Sequence, residues 1–264
     1  MISPVTDNSK PFQALYNKNL NTLNDVMKRL ASGRRINSGK DDPAGLIAAT
    51  QLEAAIASLE AESRAIQRTN ANANIADGHL SQLSEMSADL QGLIVASANT
   101  AGMSDAEIAA NQMEIDALSS SIQRFAQDAI SSLDRISLPN DGNEALATQL
   151  RDAAVAVASL ASGGANELSS GNAEAAQAAV DQAATAFAEA RGTIGAYQKY
   201  DLETRQNSLA IEHENLLAAH SQIVDADYAQ ETSNLARAKV LTAASAMVLR
   251  IANNNAERTL DLLA

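Results

Sequence analysis

LASGRRINSGKDDPAG, residues 30–45, interrupts a chain that is otherwise rich in alanine and helix-forming residues. Three glycines, a proline, three basic residues and two acids fall within it. Leu30 closes an apolar stripe, and Gly33 stands where a helix commonly ends in the left-handed region. Arg34 and Arg35 lie near the negative end of that helix, a placement worth about 0.3–1 kcal/mol each. Gly39 lets the link turn. Asp42 is the expected N-cap of the next helix and Pro43 its first residue. Asn37 and Asp41 complete the polar link. The Gly-Lys pair at 39–40 lacks the spacing G-x-x-x-x-G-K-[ST], so this is not a phosphate-binding loop. The segment reads as a joint between two helices.

On either side the apolar residues recur at intervals of three and four, as in helices packed in coiled-coil fashion. Phe12, Leu15, Leu23, Val26 and Leu30 form the stripe before the joint. After it come Leu52, Ile56, Leu59, Ser63 and Ile66, then Leu83, Met86, Leu90 and Leu93. One helix over 43–99 would be about 85 Å long. Ser104 is placed to cap a third run, Ile108, Asn111, Ile115, Leu118, Ile122, Phe125 and Ala129. SLPNDG (137–142) is a turn by composition, and a short β-hairpin near 131–142 is left open. A helix over 143–161 and a loop, SGGANELSSGN (162–172), follow. Asn172 is placed to cap a long helix with its seam at Val180, Ala184, Phe187, Arg191 and Ile194, running to about 223. Residues 225–227 break it. The last helix, 228–263, carries Leu241, Ala244, Val248 and Ile251 on one face.

The order is short helix, joint, long helices, small outer element, long helix, joint, short helix. The expected fold is mainly α: long antiparallel helices in a coiled-coil-like rod, with the N- and C-terminal helices paired. A pair of helices is too thin to bury its own stripes, so the ends call for partners.

Composition agrees. Aromatic residues make up 3% of 264, with no tryptophan, which suits closely approaching helices better than a thick core. There is no cysteine, so disulfides and thiolate metal sites are excluded. The net charge of −13 argues against nucleic acid and acidic membranes as partners. Residues 1–42 hold seven basic and four acidic residues, and residues 229–264 hold four and three. The acidity therefore belongs to the middle, which is expected to face water while the ends pack. No apolar run approaches the roughly 18 residues of a membrane helix. MISPVTDNSKPFQ lacks a signal-peptide core, so any export is expected to bypass the ordinary secretory route.

No catalytic constellation emerges. His213 and His220 lie seven residues apart, a spacing that suits a solvated helix face better than a metal pair. Neither a metal nor a cofactor is expected, and no enzyme activity.

Three motifs resemble bacterial flagellin. They are RLASGRRINSGKDDPAG (29–45), RGTIGAYQKY (191–200) and SQIVDADYAQETSNLARAKVL (221–241), with a flagellin-like ending LDLLA. The resemblance covers roughly 12–135 and 172–264, leaving 136–171 unmatched. It implies a short flagellin whose residues 1–42 and 226–264 form an inner coiled-coil core. Residues 43–135 and 172–225 would form a surrounding helical layer, and 136–171 a small element in place of the family's variable outer domains. It further implies export through the flagellar type III pathway and a place in the extracellular filament that drives motility. The implied partners are further copies of the chain, an export chaperone, and filament cap and hook-junction proteins.

Joint and subunit-contact roles would fall to Leu30, Arg34, Arg35, Asn37, Asp41, Asp42, Asp225, Asp227 and Tyr228. The chaperone or inner-core stripe would be Leu235, Leu241, Ala244, Val248 and Ile251. In ADLQGLIVASAN (88–99), Asp89 and Gln91 occupy places where flagellins recognised by a vertebrate innate immune receptor carry arginines. Leu93 and Glu114 match that patch, but an acid in place of the cation makes weak receptor binding the expectation. Rival readings are a hook–filament junction protein and a secreted coiled-coil effector. The intact joint and DADYAQE (225–231) favour flagellin over the first, and the lack of an apolar membrane segment counts against the second.

Overall fold

A computed structural model describes residues 10–98, 102–167 and 172–261. Asn99, residues 168–171 of the expected outer loop and the last three residues of LDLLA lie outside them. Among the described residues there are seven α-helices: α1 Lys10–Ser32, α2 Pro43–Ser97, α3 Asp105–Leu133, α4 Gly142–Ala158, α5 Ala173–Ala196, α6 Glu203–Val224 and α7 Tyr228–Asp261. A π-helix, Tyr197–Leu202, joins α5 to α6. No strand is formed among the described residues; a single bridge pairs Arg34 with Asp225. The chain divides into two compact units, residues 1–58 with 212–264, and residues 59–211. Position 42/43 is the start of α2 and 225/226 falls in the link between α6 and α7, whereas the compact units divide inside α2 and α6.

The central unit (59–211) holds the larger core. Leu80, Leu83, Leu90 and Ile94 of α2 meet Ile115, Ile122 and Leu133 of α3, Leu150 and Val157 of α4, and Val180, Phe187 and Ile194 of α5. Each such side chain gains roughly 1.5–3 kcal/mol on leaving water. Alanines at 73, 76, 126, 129, 176, 183 and 190 fill the gaps between them. The polar seam residues have partners. Asn111 donates to Ser97 Oγ at 3.0 Å, Gln206 donates to Ser63 Oγ at 2.9 Å, and Arg191 pairs with Asp77 at 2.9 Å.

Ser104 caps α3 as expected and adds a reciprocal contact, its backbone N–H reaching Glu107 Oε2 at 2.7 Å. Asn172 sits at the N-cap of α5 but makes no capping bond there; its amide donates to the Ala165 carbonyl at 3.3 Å. The stretch 131–142 forms no hairpin. α3 runs on to Leu133, and Asn143 then gathers the chain. Its Nδ2 donates to the carbonyls of Leu133, at 2.7 Å, and Ile136, and its Oδ1 accepts from Leu138 N–H at 2.8 Å. Asn140 and Asp141 take left-handed φ values of 55° and 57°, and Gly142 N–H closes the turn on Pro139 at 3.1 Å. Backbone groups a hairpin would need are thus committed locally. The segment expected as a small outer element contributes Leu146, Leu150, Val157 and Leu160 to the unit's own core. Asp116 ties its following loop to α3, accepting from Ser162 N–H at 2.9 Å and Ser162 Oγ at 2.6 Å.

The terminal unit (1–58 and 212–264) holds α1 paired with α7, then the joint, then the first turns of α2 and the last turns of α6. Asn19 bonds the Leu241 carbonyl at 3.3 Å, Arg29 contacts Glu231 at 3.1 Å, and Tyr228 reaches Leu30. Those partners run in opposite senses along the chain, so α1 and α7 are antiparallel.

Candidate functional site

The joint is built from both chain crossings of the terminal unit. Gly33 ends α1 at φ 69°, a left-handed value that favours glycine. Tyr228 Oη donates to the Leu30 carbonyl at 2.9 Å, satisfying one of the acceptors a helix end leaves open. The two links then pair. Ala226 N–H donates to Gly33 O at 2.9 Å and Arg35 N–H to Val224 O at 2.6 Å. The Arg35 guanidinium adds a bond to Ile223 O at 2.6 Å. Arg35 thereby sits on the acceptor end of α6, where a cation is favoured.

Both following helices are capped by aspartate. Asp42 Oδ1 accepts from Gly45 N–H at 2.8 Å to start α2. Asp227 Oδ1 accepts from Ala229 and Gln230 N–H at 2.8 and 3.1 Å to start α7. Asp225 accepts from the Ser221 hydroxyl at 2.6 Å, and Asn37 Nδ2 donates to Arg34 O at 2.9 Å.

Asp41 Oδ2 accepts from Ser38 Oγ at 2.9 Å, Ser38 N–H at 2.8 Å and Asn37 N–H at 3.1 Å. The Ser38 hydroxyl, then the two backbone donors and Lys28, hold its carboxyl below the ordinary value of 3.8. Its contribution to the joint is therefore complete above pH 3.8 and lost as pH falls through the lowered pKa.

Gly45 was not singled out by sequence. A Cβ there would press on the Asp42 carboxylate and stand 2.7 Å from Ile36 Cδ1. Ile36 is one of the few buried apolar residues of this unit. Asp42→Ala should cost about 1 kcal/mol in urea denaturation. Gly45→Ala, which helix propensity alone would make stabilising by roughly 0.5–1 kcal/mol, should give no gain, because the methyl displaces the cap. A clear gain would show that the cap and the glycine are not linked.

The α1–α7 seam holds few large apolar residues. From α1 come Phe12, Leu23, Val26 and Leu30; Leu15, expected with them, is exposed. From α7 the inward positions are Glu231, Leu235, Ala238, Thr242, Ser245 and Leu249. The hydroxyls of Thr242 and Ser245 donate to Ala238 O and Leu241 O, both at 2.8 Å, so they can sit in the seam without an unpaired donor. Leu235 belongs to this seam, half-buried. The remaining stripe residues face away: Leu241 is 48% exposed, Val248 42% and Ile251 58%, with Ala244 also exposed. Val240, at 68%, and Met247 widen that outward face. The small and polar side is turned in, and the apolar side is turned out.

In the central unit, Asp89 and Glu114 are exposed, and Leu93 is half-buried against the core. Gln91 donates to Asp181 Oδ1 at 2.8 Å. His220 in the terminal unit contacts Glu53 at 3.2 Å. No cluster of three or more metal-binding side chains occurs among the described residues, and no helix there is long and apolar enough to cross a membrane.

The bacterial flagellin N-terminal helical region matches residues 8–132, and the C-terminal helical region matches residues 177–263. A flagellin of Halalkalibacterium halodurans is 30% identical, covering 93% of each chain. A flagellin of Bacillus subtilis is 28% identical over 92% of this chain and 97% of its own length. The flagellar filament core protein flaB2 of Brachyspira hyodysenteriae is 27% identical over 91% and 92% respectively. The chain belongs to the bacterial flagellin family.

Proposed function

We infer that this chain, a structural subunit of the flagellar filament by family, polymerises by packing the outward face of its terminal pair against other copies. The apolar surface of α7 carries this reading. A contiguous apolar face left in water marks an interaction site, and here the helix shows more apolar bulk outside its own seam than within it. Residues 1–42 and 226–264 would then line the inner layer of a tube, with residues 43–135 and 172–225 in the layer around it. The small unmatched segment, 136–171, would stand in for the family's outer domains. Arg34, Asp225 and the other joint residues would hold the angle between layers.

The same face suits a groove-bearing export chaperone, which would shield Leu241 to Ile251 until the subunit leaves the cell by the flagellar type III route. Cap and hook-junction proteins would meet the ends of the polymer. Filaments purified from the source cells, depolymerised and analysed by mass spectrometry, should yield this chain as a principal component. Its absence from them would remove the reading.

Receptor recognition should be weak. Asp89 offers an exposed acid where recognised flagellins offer a cation, and Gln91 is engaged with Asp181. A receptor reporter assay should show little activation by the purified protein, and Asp89→Arg should raise it. Strong activation by the unaltered chain would refute the assignment.

A further inference from the structure

Upstream of the π-helix, the inward residues of α5 include Ala176, Ala179, Ala183, Phe187, Ala190 and Ile194, close to the helical repeat of about 3.6 residues. Carrying that repeat on from Ile194 would turn Asp201, Arg205 and Ser208 inward. All three are exposed. The residues that face in are Leu202, Gln206 and Leu209, each one position later. Leu202 and Leu209 are buried, and Gln206 donates to Ser63 Oγ at 2.9 Å. Arg205 reaches Glu62 from the rim of the same seam, at 2.6 Å.

The shift of one position coincides with the π-helix Tyr197–Leu202. Its i→i+5 bonding encloses one residue more than the i→i+4 pattern of an α-helix. Gln198, inside it, donates from one amide nitrogen to Oδ1 of both Asn70 and Asn74, at 2.8 Å each. Those asparagines stand one turn apart on α2, so a single side chain holds the wide turn in place. Ile194 on one side is fully buried and Leu202 on the other nearly so, which prevents the extra residue from migrating along the helix. A cleft of about 650 Å³ borders the turn, between Asn70, Asn74, Gly195 and Gln206, and leaves room for it to contract.

We propose that the π-helix is a register splice. It absorbs one surplus residue between two seams, so that α5 and the start of α6 present their inward faces to the same side. The chain around it is one residue longer than its packing requires, and the surplus is confined to residues 197–202. Removing one residue there leaves an unbroken α-helix with Leu202, Gln206 and Leu209 still inward. Removing one residue between the buried positions of α5, Ala176 to Ile194, rotates buried side chains out of the core.

The test uses two deletions in the full chain and one reporter substitution. Deleting Lys199 should change the thermal midpoint by no more than a few degrees. Deleting Ala184, which rotates Phe187 outward, should lower it by about 10 °C or more. Leu209→Ala should lower the midpoint to a similar extent in the parent and in the Lys199 deletion, because Leu209 stays buried in both. Equal damage from the two deletions would overturn the proposal. So would a tolerated Lys199 deletion in which Leu209→Ala had become harmless, since that would mean the downstream helix had turned.

Discussion

Val248→Asp leaves the isolated subunit folded and raises the concentration needed for polymerisation by at least about a hundredfold. The side chain is already half in water in the single chain, so the subunit's stability should move by no more than about 0.5 kcal/mol. In the polymer the substitution forfeits only the burial still open to the valine, roughly half of the 1.5–3 kcal/mol that full burial is worth, and places an unpaired carboxylate in an apolar contact, which costs more still. Each 1.4 kcal/mol is about tenfold in association. Thermal unfolding of the monomer and sedimentation of polymerised protein separate the two effects. A matching substitution on the seam side, Ala238→Asp, should instead unfold the α1–α7 pair, because Ala238 is buried within the single chain. Normal polymerisation by the Val248 variant would show that the outward face is not the contact surface.

Phe187→Ala should cost about 3–5 kcal/mol and leave the central unit largely unfolded near 37 °C. The chain has only three phenylalanines. Phe12 is half-buried in the terminal pair, and Phe125 is half-buried beside His79 at 6.0 Å between ring centres. Phe187 alone among them is fully buried, in a core where Ala176, Ala183 and Ala190 of its own helix are too small to fill its place. Against a typical total of about 5–15 kcal/mol, the loss is a large fraction. Urea denaturation followed by circular dichroism reads it directly. A cost below about 1 kcal/mol would mean that the alanine-lined core collapses around the gap.

The joint was legible in sequence because its instructions are local. Gly33, Asp42 and Pro43 each act within one helical turn, and each stands where its chemistry required. The Arg35 contact was not legible in this way, since its partners Ile223 and Val224 lie nearly two hundred residues away. Gly45 escaped notice for a related reason: its need for a missing Cβ depends on where Ile36 packs.

The α7 stripe was found, but its direction was not. Apolar residues mark a face, and only the assembled pair shows that Ala238, Thr242 and Ser245 have taken the inner side. Hydroxyls bonded to their own helix made that exchange inexpensive. The π-helix left no trace in the pattern, because one extra residue in an alanine-rich seam alters no obvious spacing. Residues 131–142 suit a turn or a hairpin by composition, and the choice between them rests on Asn143, which gathers the carbonyls of Leu133 and Ile136.

A helical reconstruction of the filament tests the central claim most directly. Leu241, Val248 and Ile251 should each lie within about 4.5 Å of apolar atoms of neighbouring copies, with α1 and α7 still paired through Ala238 and Ser245. A filament in which those three side chains face solvent, while subunits meet through other surfaces, would contradict the account.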